Sequence, residues 1–153
     1  MGDSFFSWVL SDPTLLCMWF VAKLGEVKKK KIVKRNSENL ESLANALIGS
    51  REYERAADIL FEASQLTDDP NLPYRLGQIE LNLSRWEKAI KSFELAEEYG
   101  WDEDEGQIDY FIGICLIELK KLEDAISYLS KASEAGKEES VKPWLEYIQY
   151  LKD

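Results

Sequence analysis

Three segments of this chain repeat one another: REYERAADILFEAS, SRWEKAIKSFELAE and KKLEDAISYLSKAS. Superposed, they put Ala56, Ala89 and Ala125 in one column and Ala63, Ala96 and Ala132 in another. Between these lies a column of large residues, Leu60, Phe93 and Leu129. The spacings are 33 and then 36 residues. Self-similarity at such a period implies helical pairs stacked into a solenoid, each pair burying its apolar face against the next.

The 3.6-residue recurrence of apolar side chains predicts seven helices. The first spans 38–49, with Ser37 as its cap and Leu40, Leu43, Ala44, Leu47 and Ile48 on one face. The next is expected over 52–66, followed by the loop Thr67-Asp68-Asp69-Pro70-Asn71. Helices 72–83 and 86–99 form the second pair. Pro73 is tolerated in a first turn, and Gly100 ends the pair. The stretch WDEDEG over 101–106 reads as a loop and holds the residues that lengthen this repeat. The third pair covers 107–119 and 122–135, closed by Gly136. A last helix over 140–152, with Ser140 as its cap, shows Val141, Trp144, Leu145, Ile148 and Leu151 on one stripe. It covers the apolar face that a final repeat would otherwise expose.

These columns resemble the tetratricopeptide repeat family, whose unit is about 34 residues in two antiparallel helices. Its first helix carries a large residue before a small one, here Leu43-Ala44, Leu76-Gly77 and Ile112-Gly113. Its second helix opens on a large residue, here Tyr53, Trp86 and Leu122, followed three residues later by the alanine column. Two features depart from the pattern: Glu80 stands where the family prefers Tyr or Leu, and the closing proline is absent. The match covers residues 37–136. It implies an all-α solenoid with units at 37–69, 70–105 and 106–138 and a capping helix at 139–153. Residues 1–36 read as a degenerate leading repeat, with a helix from Thr14 to Gly25 packed on the front of the stack. The closing stretch KEESVKPWLEYIQYLKD also resembles the tail of some bacterial tetratricopeptide proteins, some of which serve envelope energy transduction.

Charge narrows the function. The chain carries a net charge of −10 and has no histidine. Residues 1–35 contribute seven Lys/Arg against three Asp/Glu, so residues 36–153 hold 12 against 26, or −14. Phosphate contacts need a basic face, so this acidity excludes a nucleic-acid partner and favours basic or neutral protein segments. Without histidine no Ser-His-Asp or Cys-His arrangement can form, and the expectation is a non-enzyme without cofactor. Asp102, Glu103, Asp104 and Glu105 are consecutive and lack the alternating ligand spacing of a calcium loop, so no metal site is expected. Cys17 and Cys115 each sit in an apolar run and are expected as small core residues.

No basic region precedes the first apolar stretch, and that stretch, Leu15 to Ala22, has 8 residues. A secretory signal and a membrane span are therefore not expected, which makes the cytoplasm the expected location. Gly2 suggests myristoylation, but Phe6 stands where the motif needs Ser or Thr. The tetralysine Lys28 to Lys31 reads as a solvated helix face. With Phe5, Phe6, Trp8, Trp19 and Phe20 nearby, two alternatives stay open: an anionic membrane surface, or a second copy of the chain.

The resemblance places the first helices of successive units along a concave groove. By alignment its lining is Glu38, Glu41, Asn45 and Ile48 from unit one. Unit two supplies Asn71, Tyr74, Arg75, Gln78 and Asn82, and unit three Gln107, Tyr110, Ile114 and Glu118. Asn and Gln both donate and accept, which suits the backbone of an extended peptide. Tyr74 and Tyr110 offer flat area with a polar tip. The alternative is an ordinary polar solenoid face. Chaperone-binding members of the family hold a C-terminal carboxylate with Lys, Asn and Arg. Here Asn45 matches, but Glu41 stands at the lysine position, and Gln107 and Phe111 replace the other basic pair. The groove is therefore expected to take a protein or peptide other than such a tail.

Overall fold

Each repeat folds as two antiparallel helices because its small residues let two backbones meet. The computed structural model describes residues 13–14, 17–18 and 36–153 of the chain. Two compact units are present, Met1–Arg35 and Asn36–Asp153. In the second, α1 (Ser37–Gly49) pairs with α2 (Tyr53–Ser64), α3 (Asn71–Asn82) with α4 (Trp86–Glu98), and α5 (Gln107–Glu118) with α6 (Leu122–Ala132). A π-helical turn, Ser133–Lys137, leads into α7 (Glu138–Lys152). Among the described residues there is no strand. The helix Thr14 to Gly25 and the tetralysine lie outside the described residues, apart from Thr14, Cys17 and Met18.

Both alanine columns and the large column between them are 0% exposed in all three units. The steric reason is visible at the crossing points. A Cβ added to Gly77 would lie 2.7 Å from the Phe93 ring, and one on Gly113 would lie 2.7 Å from Leu129. Larger residues there would push the paired helices apart.

Helix ends follow the repeat as well. Each first helix closes with a residue at positive φ: Arg51 (61°), Ser84 (56°) and Lys120 (61°). The next N–H in each case reaches back five residues, Glu52 to Leu47, Arg85 to Glu80 and Lys121 to Leu116, all at 2.9 Å. This is the Schellman closure, whose left-handed position favours glycine over any residue with a Cβ. Lys120→Gly is therefore expected to raise stability by about 1 kcal/mol, read as a higher urea midpoint at constant slope.

Four sequence expectations are corrected. The cap of α1 is Asn36, whose Oδ1 accepts from the Asn39 N–H at 2.9 Å, and not Ser37, which is already helical. Ser140 lies inside α7, which begins at Glu138. Helix α6 stops at Ala132, and the chain breaks direction at Gly136 (φ 93°). Cys115 is buried as expected, but Cys17 is exposed. Membership of an apolar run does not fix which way one side chain points.

Candidate functional site

The first helices lie side by side and are joined by one side-chain rung per step. From α3, the Arg75 guanidinium donates to Glu41 Oε1 at 2.8 Å and to Asn45 Oδ1, both on α1. From α3 to α5, the rings of Tyr74 and Phe111 meet at 6.3 Å. From α7 to α5, Trp144 Nε1 donates to the Tyr110 hydroxyl at 3.1 Å. These contacts link Glu41 and Asn45 on α1, Tyr74 and Arg75 on α3, Tyr110 and Phe111 on α5, and Trp144 on α7.

Their states differ. Arg75 is the cation among the thirteen groove residues, and it is occupied by Glu41 and Asn45. A carboxylate approaching Arg75 would have to displace both. Gln78 is half-buried beside Tyr74. Asn45, Asn82 and Glu118 are exposed, while Gln107 and Ile114 are half-buried.

Tyr74 sits in a stack that sequence reasoning missed. Trp101, read as a loop residue, lies flat on it, with ring centroids 3.7 Å apart and planes 12° off parallel. Behind Tyr74, Phe93 meets it edge-on at 5.9 Å and stacks on Phe111 at 5.2 Å. Phe111 touches Tyr110 at 5.7 Å, and Trp144 meets Tyr147 at 6.5 Å. An aromatic band therefore runs from Trp101 through Tyr74, Phe111 and Tyr110 to Trp144 and Tyr147. The clue available in the sequence was tryptophan at two positions beside the repeat, Trp101 and Trp144.

The band is flanked by acid. Burial pushes the Tyr74 phenol up, and the nearby Asp104 and Glu103 carboxylates push it further. Beside Trp101 lies a cavity of about 380 Å³ lined by Glu97, Asp102, Asp104, Glu105 and Asp109. Asp104 is held by Lys137 at 2.6 Å. Burial raises Glu97 and Asp109, Asp109 raising Glu97 further, while Lys131 draws both back down. The Trp101 indole N–H is buried with no acceptor among the described residues. Among those residues no cluster could hold a metal ion, and no helix is long and apolar enough to cross a membrane.

No protein-family model and no curated protein matches this chain. Solved structures do. The type III secretion chaperone SycD of Yersinia enterocolitica, in complex with a peptide of the translocator YopD, is 27% identical with a TM-score of 0.64. That match covers 76% of this chain and 94% of SycD. MamA of AMB-1 is 24% identical with a TM-score of 0.60, and the match covers 67% of this chain but 55% of MamA. The first tetratricopeptide domain of Spaghetti (RPAP3), bound to an HSP90 peptide, is 19% identical with a TM-score of 0.65 over 78% of this chain and 95% of that domain. The antiparallel helix pairing and the likeness to these structures give this chain a tetratricopeptide-type helical solenoid fold.

Proposed function

We propose that this chain is a non-catalytic adaptor or assembly factor that takes an extended segment of a partner protein along the ladder of first helices. The observation that carries the reading is the aromatic band from Trp101 to Tyr147 at the edge of an acidic surface. Rigid aromatic faces give contact area at little entropic cost, and carboxylates around them select basic residues. Gln78, Asn82 and Gln107 provide donors and acceptors for a peptide backbone. SycD supports the reading, since its structure holds a peptide of a protein it chaperones. The segment bound here is expected to combine apolar anchors with Lys or Arg.

Selection of random dodecapeptides on the intact chain tests this. Basic, apolar-rich sequences should emerge, and Tyr74→Ala with Tyr110→Ala should weaken them at least about tenfold, as loss of anchor residues does. Enrichment of acidic sequences, or affinity untouched by the double substitution, would overturn the proposal.

Self-association is the second reading. A further structure of SycD, 26% identical, is described as an alternative dimer. The segment assigned to it here, residues 1–36, lies outside the described residues except for a few positions, as does the membrane-facing reading of the tetralysine.

A further inference from the structure

We propose that the outer face of unit two carries a second binding pocket, built to receive a tyrosine side chain presented on an acidic segment of a partner protein. The repeat supplies its own control. At one core column stand Leu47, Glu80 and Leu116, exposed by 6%, 7% and 6%. At another stand Ile59, Ser92 and Tyr128. Units one and three fill both positions with apolar or aromatic groups. Unit two alone places a carboxyl and a small serine hydroxyl there, and the two pair: Ser92 Oγ donates to Glu80 Oε2 at 2.7 Å.

These two departures open a cavity of about 270 Å³ between α2, α3 and α4. That is below the roughly 300–1,000 Å³ of small-molecule sites and suits one side chain. Burying a carboxyl where the fold accepts leucine costs stability, so the pair is not there for the stack. Burial holds the Glu80 carboxyl above its ordinary range, with Ser92, Lys88 and Arg85 drawing it back.

The lining selects the occupant. Ala57 and Phe61 give apolar walls. Phe61 is 57% exposed, in a column where the other units have Glu94 and Ser130. Glu80 Oε1 has no protein donor among the described residues, so the floor offers an acceptor. Arg85, Lys88 and Lys91 stand at the mouth against Asp58. None of the three cations forms an ion pair among the described residues, on a body with 26 acidic residues against 12 basic. An inserted carboxylate would meet Glu80, and an inserted ammonium would pass three cations. A neutral ring with a donor at its tip meets neither objection. Acidic residues on either side of it find the cations at the rim.

The test is a titration of the ¹⁵N-labelled chain with the blocked peptide Glu-Glu-Tyr-Glu-Glu. Amide shifts are expected at Phe61, Lys88, Lys91 and Ser92. Replacing the peptide's tyrosine by phenylalanine should weaken binding at least about fivefold, the worth of one buried hydrogen bond. Lysine flanks should abolish it. The variant Glu80→Leu with Ser92→Tyr copies unit three into unit two. It should melt no lower than the parent and show no shifts, whereas Tyr74→Ala with Tyr110→Ala should leave them intact. Shifts confined to the first helices, equal binding of the phenylalanine peptide, or binding retained by the filled variant would each overturn the proposal. So would a change in sedimentation of the filled variant, which would make the pocket a contact between copies.

Discussion

Phe93→Ala is expected to destabilise the repeat unit by about 4 kcal/mol, and to lower its melting temperature by roughly 15 °C. The ring is 0% exposed and packs into the space that Gly77 leaves, three of its carbons lying 2.7 to 2.9 Å from where a Cβ would be. It also holds Phe111 by stacking and Tyr74 by its edge, so its loss frees the inner side of the groove's aromatic band. Tryptophan fluorescence should therefore change with the melting point, because Trp101 rests on Tyr74. Gly77→Leu is the reciprocal experiment. Alone it overpacks the crossing and costs about 1–3 kcal/mol. Combined with Phe93→Ala, part of each loss should return, since the new side chain occupies the emptied space. Additive losses in urea titrations would mean that the two positions do not share one crossing.

Why the helix pairing was readable from sequence, and the binding surfaces only partly so, follows from the range of the interactions. Ala56, Ala89 and Ala125 repeat at the fold's own period, and a residue without bulk at a fixed interval has few explanations besides a helix crossing. Cap positions were less legible. Asn36 and Ser37 are adjacent and both able to cap, and only the backbone dihedrals choose the first. The groove shows the same limit at longer range. Alignment placed Tyr74, Arg75 and Tyr110 on first helices, but no local pattern reveals that Arg75 is spent on Glu41 and Asn45 across 34 and 30 residues. Nor does composition distinguish Trp101 from a solvated loop residue, because its partner Tyr74 lies in another element.

Glu80 is the instructive case. In the sequence it is one mismatch to a family pattern and invites dismissal. In the structure it is one half of a buried pair whose other member, Ser92, sits on a different helix of the same unit. Neither residue is informative without the other. The columns above and below them, Leu47 with Leu116 and Ile59 with Tyr128, show what the fold places there when no polar pair is kept.

The thiols give the second large expected effect. Alkylation of the native chain at pH 8 should modify the exposed Cys17 first, and Cys115 slower by on the order of 10³ or more. Cys17 is exposed, whereas Cys115 is 0% exposed in the C-terminal half of α5. Burial pushes its thiol from 9.0 up to about 12, with Glu118 adding a little. The reactive thiolate is thus scarce in the folded chain, and reaction must wait for the core to open. The same shift fixes a sign for pH. A thiol that ionises less readily when folded favours the folded state below about 9, and that contribution is lost as pH rises from 9 towards 12. Alkaline unfolding should therefore begin earlier for the parent than for Cys115→Ala at matched starting stability. Equal alkylation of both cysteines in native buffer would mean that α5 is not enclosed between α4 and α6, and with it the stacked arrangement of units two and three would fall.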